Sequence, residues 1–189
     1  MMMSWPTRQL LLFGALLPSL AFAWHADRIV LPIAAALPQR RLTPGAINPA
    51  VTQANIHATI CRPRWTRTVR PPEEYTERLK HVQIREYRYR DRRLRDYEED
   101  HLIPLELGGA PASPRNLWPE PHFVEGGWGS FRKDRLENRL RWLVCHGRLR
   151  LATARQRIAT DWIAAYRRYH RRWPRRRNPA RRDPRDTGR

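Results

Sequence analysis

Cys61 and Cys145 are the only cysteines in this chain, and they stand 84 positions apart. No C-x-x-C spacing or cysteine cluster accompanies them, so they do not read as a zinc site. Joined, they would close the middle of the chain into one loop, stabilising the fold by about 4–5 kcal/mol in the chain-entropy model. Whether they join depends on the compartment, and the N-terminus speaks to that. "MMMSWPTRQ" carries one positive charge, and Leu10–Ala23 is an apolar run ending in the small-x-small sequence Ala21-Phe22-Ala23. The run is too short to span a bilayer but suits a signal peptide cleaved before Trp24. An uncleaved signal anchor is the alternative. Export to the periplasm or the medium makes a Cys61–Cys145 disulfide the expected state, with two buried free thiols as the other outcome.

The length of 189 residues allows one domain with a proper core plus tails. Its net charge of +19 and pI near 11.5 favour polyanionic partners, nucleic acid before anionic lipid or a cell-wall polymer. Only two of the 37 basic residues are lysine, Lys80 and Lys133. After the expected signal (1–23), residues 24–45 read as a poorly structured, proline-punctuated lead-in. The folded domain is expected over 46–170 and a disordered Arg-rich tail over 171–189. No candidate membrane span follows the signal, so stable membrane insertion after cleavage is not expected. Nothing in the sequence sets the oligomeric state.

Within the domain, "PPEEYTERLKHVQI" carries helix-start features, with Tyr75, Leu79 and Val82 at helical spacing. The Arg/Tyr-dense segment 85–97 reads as surface. "DHLIPL" and "NLW" read as short strands separated by the Gly/Pro/Ser loop "ELGGAPASPR". Leu136, Leu140 and Leu143 mark one amphipathic helix; Ala154, Ile158, Trp162, Ala165 and Tyr169 mark a second. No phosphate-cradling glycine loop and no G-x-S-x-G elbow is present, and neither cysteine reads as a nucleophile.

The chemistry concentrates in "YEEDHLIPLELGG", Tyr97–Gly109. Phosphodiester hydrolysis needs a base for water, a cation to stabilise charge on the phosphate and leaving oxygen, and a fixed geometry between them. A neutral imidazole at His101 can be the base near pH 7. Asp100 can hold a hard cation such as Mg²⁺, which is satisfied by one or two carboxylates plus phosphate oxygens. On a regular strand these neighbours would point to opposite faces, so the chain must twist at the strand's end.

Asp100-His101, Ile103-Pro104, Gly108-Gly109 and Asn116-Leu117, followed by a helix, resemble the HNH nucleases of the ββα-metal (His-Me finger) superfamily. The match covers about 20 residues directly and roughly 45 with the "KDRLENRL" helix. Flanking segments such as "TPGAINPAVTQANIHATIC" also look like those of secreted bacterial HNH-like proteins with a Cys pair. The resemblance implies His101 as general base, Asp100 as metal ligand and Asn116 as a brace for the loop that positions the base. The family's further ligand on the helix is usually His or Asn, often three positions before a Lys. If Lys133 is that lysine, the ligand position here is Ser130, a departure. Helical geometry instead puts Glu137 at the edge of the leucine stripe as second carboxylate, with Asp134 and Asn138 as rivals pointing further away and His122 as a further candidate.

The expected fold is therefore α+β, a ββα-metal hairpin-helix unit embedded among α-helices and stapled by one disulfide. The expected activity is an exported, divalent-metal-dependent nuclease. Its ion would be Mg²⁺ first, with Mn²⁺ or Zn²⁺ as alternatives, and no small-molecule cofactor is called for. DNA is expected ahead of RNA as partner. The alternatives are a catalytically inactive HNH-like protein that binds nucleic acid or another polyanion in the cell envelope, and a structural module with no nucleic-acid role.

Overall fold

The computed structural model describes residues 29–170; the expected signal peptide and the tail 171–189 lie outside that range. Among the described residues the fold is α+β, four α-helices around one two-stranded antiparallel sheet. In chain order these are α1 (Trp65–Val69), α2 (Glu73–Glu86), β1 (Tyr97–His101), β2 (Leu117–Pro121), α3 (Ser130–Cys145) and α4 (Leu151–His170). The strands pair from Tyr97 opposite Pro121 to His101 opposite Leu117.

α3 and α4 pack through the two expected stripes. Leu136, Leu140, Ala154, Ile158 and Trp162 are all fully buried. A buried tryptophan contributes about 3–5 kcal/mol against truncation to alanine. Trp162 is also tied by its indole N–H, which donates to the Ala36 carbonyl at 2.6 Å. α4 breaks its helical dihedrals at Asp161 (φ −162°, ψ 96°), whose carboxylate accepts from the Ala164 amide. That contact caps the helix's second half as a new N-terminus. Cys61 and Cys145 form the expected disulfide, with Cα atoms 5.6 Å apart, anchoring the end of α3 to the turns of residues 53–62. Among the described residues no helix is long and apolar enough to cross a membrane.

Residues 29–45 hold no strand or α-helix beyond a 3₁₀ turn at Ile33–Ala36, and within them Ala36 and Thr43 are buried. Two local expectations are corrected. On α2 the buried residues are Lys80, Gln83 and Ile84, while Val82 is exposed. The stripe read from Tyr75, Leu79 and Val82 is rotated because polar side chains here find partners inside. Gln83 donates to the Pro114 carbonyl at 3.1 Å, and Lys80 reaches Glu77 at 2.6 Å. Finally, the Arg/Tyr segment is not all surface. Tyr87 and Tyr97 are buried, their hydroxyls donating to Thr43 Oγ1 at 2.7 Å and the Asp91 carbonyl at 2.9 Å.

Candidate active site

The first strand is displaced from its expected place. It occupies Tyr97–His101 and stops where "DHLIPL" was expected to run on. The cause is Asn116, a fully buried side chain that satisfies the backbone a longer ladder would have used. Its carbonyl oxygen accepts from the Ile103 amide at 3.0 Å and the Ala46 amide at 3.3 Å. Its amide donates to the Ile103 carbonyl at 3.0 Å and the Ala110 carbonyl at 3.1 Å. Pro104 has no N–H to extend the strand, and the chain turns into a 3₁₀ turn at Leu105–Leu107.

The double glycine closes that loop for steric reasons. Gly108 has φ of 69°, and a Cβ on Gly109 would sit 1.7 Å from the Ile103 carbonyl oxygen. Either substitution strains the return that brings residues 110–116 back beside the strand. Arg155 of α4 braces the same turn, donating to the carbonyls of Leu107 at 2.7 Å and Val51 at 3.0 Å. From the other side, Tyr75 of α2 donates to the Ala112 carbonyl at 2.7 Å.

His101 is oriented by this loop. Its Nε2 lies 2.8 Å from the Pro111 carbonyl. A carbonyl only accepts, so Nε2 carries the proton and Nδ1 presents its lone pair when the ring is neutral. Burial lowers the His101 pKa, partly opposed by the neighbouring Asp100 charge, so the neutral ring prevails near pH 7. Because the strand ends here, pleating does not separate the pair: Asp100 and His101 line one cavity of about 240 Å³.

α3 supplies the opposite wall. Glu137, Asp134 and Asn138 line the same cavity, so the two rivals do not point away as their helical positions suggested. Ser130 does not join them. Its hydroxyl sits 2.7 Å from Nδ1 of His122, and His122 lines an adjoining cavity of about 460 Å³ with Glu98, Glu99 and Lys80. His101 and Arg70 border both cavities. Among the described residues, no three or more His, Cys, Asp or Glu side chains gather as a metal cage.

At the centre lies a group that sequence reasoning placed only as a marker. Lys133 is fully buried, and its ammonium donates to Asp100 Oδ2 at 2.5 Å, to the His101 carbonyl at 2.8 Å and to Glu137 Oε1. Glu120, opposite Glu98 in the sheet, stands 3.8 Å from the same nitrogen. Burial alone would strip this lysine of its proton, but Asp100, Glu137 and Glu120 outweigh it and raise its pKa well above the ordinary value. A signal for it existed: Lys133 is one of two lysines in a chain whose other cations are all arginine. Its compact ammonium, with three donors on a flexible stem, reaches two carboxylates and a carbonyl at once.

One ammonium does not balance the acids around it. Burial works against ionised Asp100, but Lys133 outweighs it and holds its pKa down to about 2. Glu137 shares the same ammonium less successfully; burial pushes it up to about 8 despite Lys133, with Asp100 adding to the rise. Burial, opposed by Lys133 and reinforced by Asp100, raises Glu120 well above the ordinary carboxylate range. No protein donor reaches either of its oxygens within hydrogen-bond distance. Burial also raises Glu98 to about 7 and Glu99 to about 9. The site is short of positive charge.

That shortage, and the convergence of Asp100 and Glu137, suit a divalent cation bound with two carboxylates and completed by phosphate and water. Compared with known proteins, the chain matches no family model, no curated protein and no solved structure.

Proposed function

We propose that this protein is an exported phosphodiesterase acting on nucleic acid, with a ββα-metal unit formed by β1, β2 and α3. One observation carries the reading: His101 has Nε2 held by the Pro111 carbonyl and Nδ1 left as acceptor, in one cavity with the Asp100–Glu137 carboxylate pair. Nδ1 takes a proton from water, and the resulting hydroxide attacks phosphorus as the bond to the 3′ oxygen breaks. A divalent cation held by Asp100 and Glu137, Mg²⁺ or alternatively Mn²⁺ or Zn²⁺, would supply positive charge at the phosphate and the departing oxygen. Asn116 fixes the loop that holds Pro111, and so the ring orientation of His101. Arg70, exposed where the two cavities meet, is placed to pair with a substrate phosphate. The +19 charge supports affinity for a nucleic-acid backbone, DNA ahead of RNA.

A second reading has its own observation. Lys133 already contacts both carboxylates, as it would in an HNH-like protein that binds polyanions without cutting them. The two part in one experiment, with the oxidised chain from Trp24 onward assayed for plasmid nicking in Mg²⁺, in Mn²⁺ and in EDTA, beside His101→Ala. Metal-dependent nicking that His101→Ala abolishes supports the nuclease. DNA binding equal in both proteins, with no nicking in either metal, establishes the binder instead.

A further inference from the structure

The outer face of α3 carries a further cleft. It measures about 670 Å³ and is lined by Arg135, Arg139 and Arg141, by Trp142 and His146, and by His170 of α4, with the Cys61–Cys145 disulfide in its wall. Among the described residues no carboxylate lines it. Positive charge is concentrated here: burial lowers the His170 pKa, and Arg135, Arg139 and Arg132 push it lower still. Arg139 is itself lowered by burial and by Arg148.

The aromatic groups are stacked, not scattered. His146 lies on Trp142 with ring centroids 4.3 Å apart, and the guanidiniums of Arg139 and Arg148 stand 5.0 and 4.9 Å from the Trp142 ring. His146 is exposed, so the ladder can be extended from its outer face. Asn138 lines both this cleft and the cavity holding Asp100 and His101, so the two are neighbours around α3.

We infer that this cleft binds single-stranded nucleic acid, with phosphates on Arg135, Arg139 and Arg141 and a base stacked on the His146–Trp142 ladder. The inference rests on the nuclease reading for its purpose: a strand held here leads past Asn138 to His101. Charged grooves with stacking platforms bind single strands in this way, each stacked base contributing about 1–3 kcal/mol.

The test is fluorescence anisotropy of a labelled oligothymidylate with the oxidised chain from Trp24 onward, in EDTA and across a salt series. Arg135→Ala/Arg139→Ala is compared with a charge-matched control on the exposed face of α2, Arg78→Ala/Arg85→Ala. Loss of two phosphate contacts should flatten the salt slope by about 1.4 and weaken binding about tenfold or more, against about twofold for the control. Since Arg139 also donates to the Tyr169 carbonyl, Arg135→Glu against Arg78→Glu repeats the comparison without touching that bond. Equal losses in cleft and control variants would show that net charge alone attracts the oligonucleotide, and would overturn the site. Tighter binding of duplex, or cleft-dependent binding of phosphatidylglycerol vesicles without binding of the oligonucleotide, overturns the ligand assignment. Because binding is read without metal, a failed nicking assay leaves this result interpretable, and a failed cleft leaves the role of His101 standing.

Discussion

Replacing Lys133 with methionine probes the centre of the site, because it keeps the length of the side chain and removes its charge. Asp100 then loses the partner that holds its pKa near 2. Breaking a buried ion pair from one side costs about 3–5 kcal/mol. The cheapest response of the folded variant is for Asp100 to take up a proton. The sign follows from linkage. In the wild type the folded Asp100 pKa lies below its unfolded value of 3.8, so its contribution is fully present above about pH 4 and is lost toward pH 2. In the variant the folded form binds a proton that the unfolded chain lacks at neutral pH, so acidification restores stability by about 1.4 kcal/mol per pH unit down to about pH 4. Glu137, already raised to about 8, adds a similar slope to both proteins, so their difference isolates Asp100. Urea denaturation followed by tryptophan fluorescence, in EDTA at pH 7 and pH 4.5, measures that difference. The deficit should shrink from about 3–5 kcal/mol at the higher pH to under about 2 at the lower. A variant within 1 kcal/mol of wild type at pH 7, or a deficit that does not change with pH, would refute the account of Lys133 as the counter-ion of Asp100.

Asn116→Ala should cost about 3–5 kcal/mol by chemical denaturation, because the amides of Ile103 and Ala46 lose their acceptor inside the loop. Nicking activity should fall with it even where the variant stays folded, since the Pro111 carbonyl that orients His101 belongs to the same loop. Gly109→Ala should lose more than about 3 kcal/mol or fail to accumulate, as its Cβ meets backbone rather than a movable side chain. Cys61→Ala/Cys145→Ala, or reduction of the wild type, should lower stability by up to about 4–5 kcal/mol in the same denaturation assay.

The readings that survived into three dimensions rest on local or strongly periodic signals. The leucine stripe of α3 and the Ala/Ile/Trp stripe of α4 each repeat over several turns, and burial follows that period wherever both helices are long. The glycine pair was legible as a turn because few residue types can occupy such a return, whereas Asn116 as its brace came only from the resemblance to HNH nucleases. The stripe on α2 failed for the opposite reason. Gln83 and Lys80 are polar by composition, and their burial depends on partners set by the fold, the carbonyls of residues 114 and 97, together with Glu77 for Lys80. The strand boundary also slipped, because an apolar run does not reveal that a distant amide will take over its hydrogen bonds.

The sequence by itself determined the parts of this protein that depend on short-range order. These are the adjacent Asp-His pair, the glycine return behind it, the faces of the two long helices and the availability of two cysteines for pairing. Tertiary structure alone decided how those parts act on each other. Asp100 and Lys133 are 33 positions apart, yet the packing of α3 on the hairpin places one ammonium between Asp100 and Glu137 and leaves Glu120 beside it without a donor. Electrostatic energy depends on ångström-scale separation and burial, neither of which is written in residue order. So the type of each charged residue could be read along the chain, while its protonation and its partner had to await the fold.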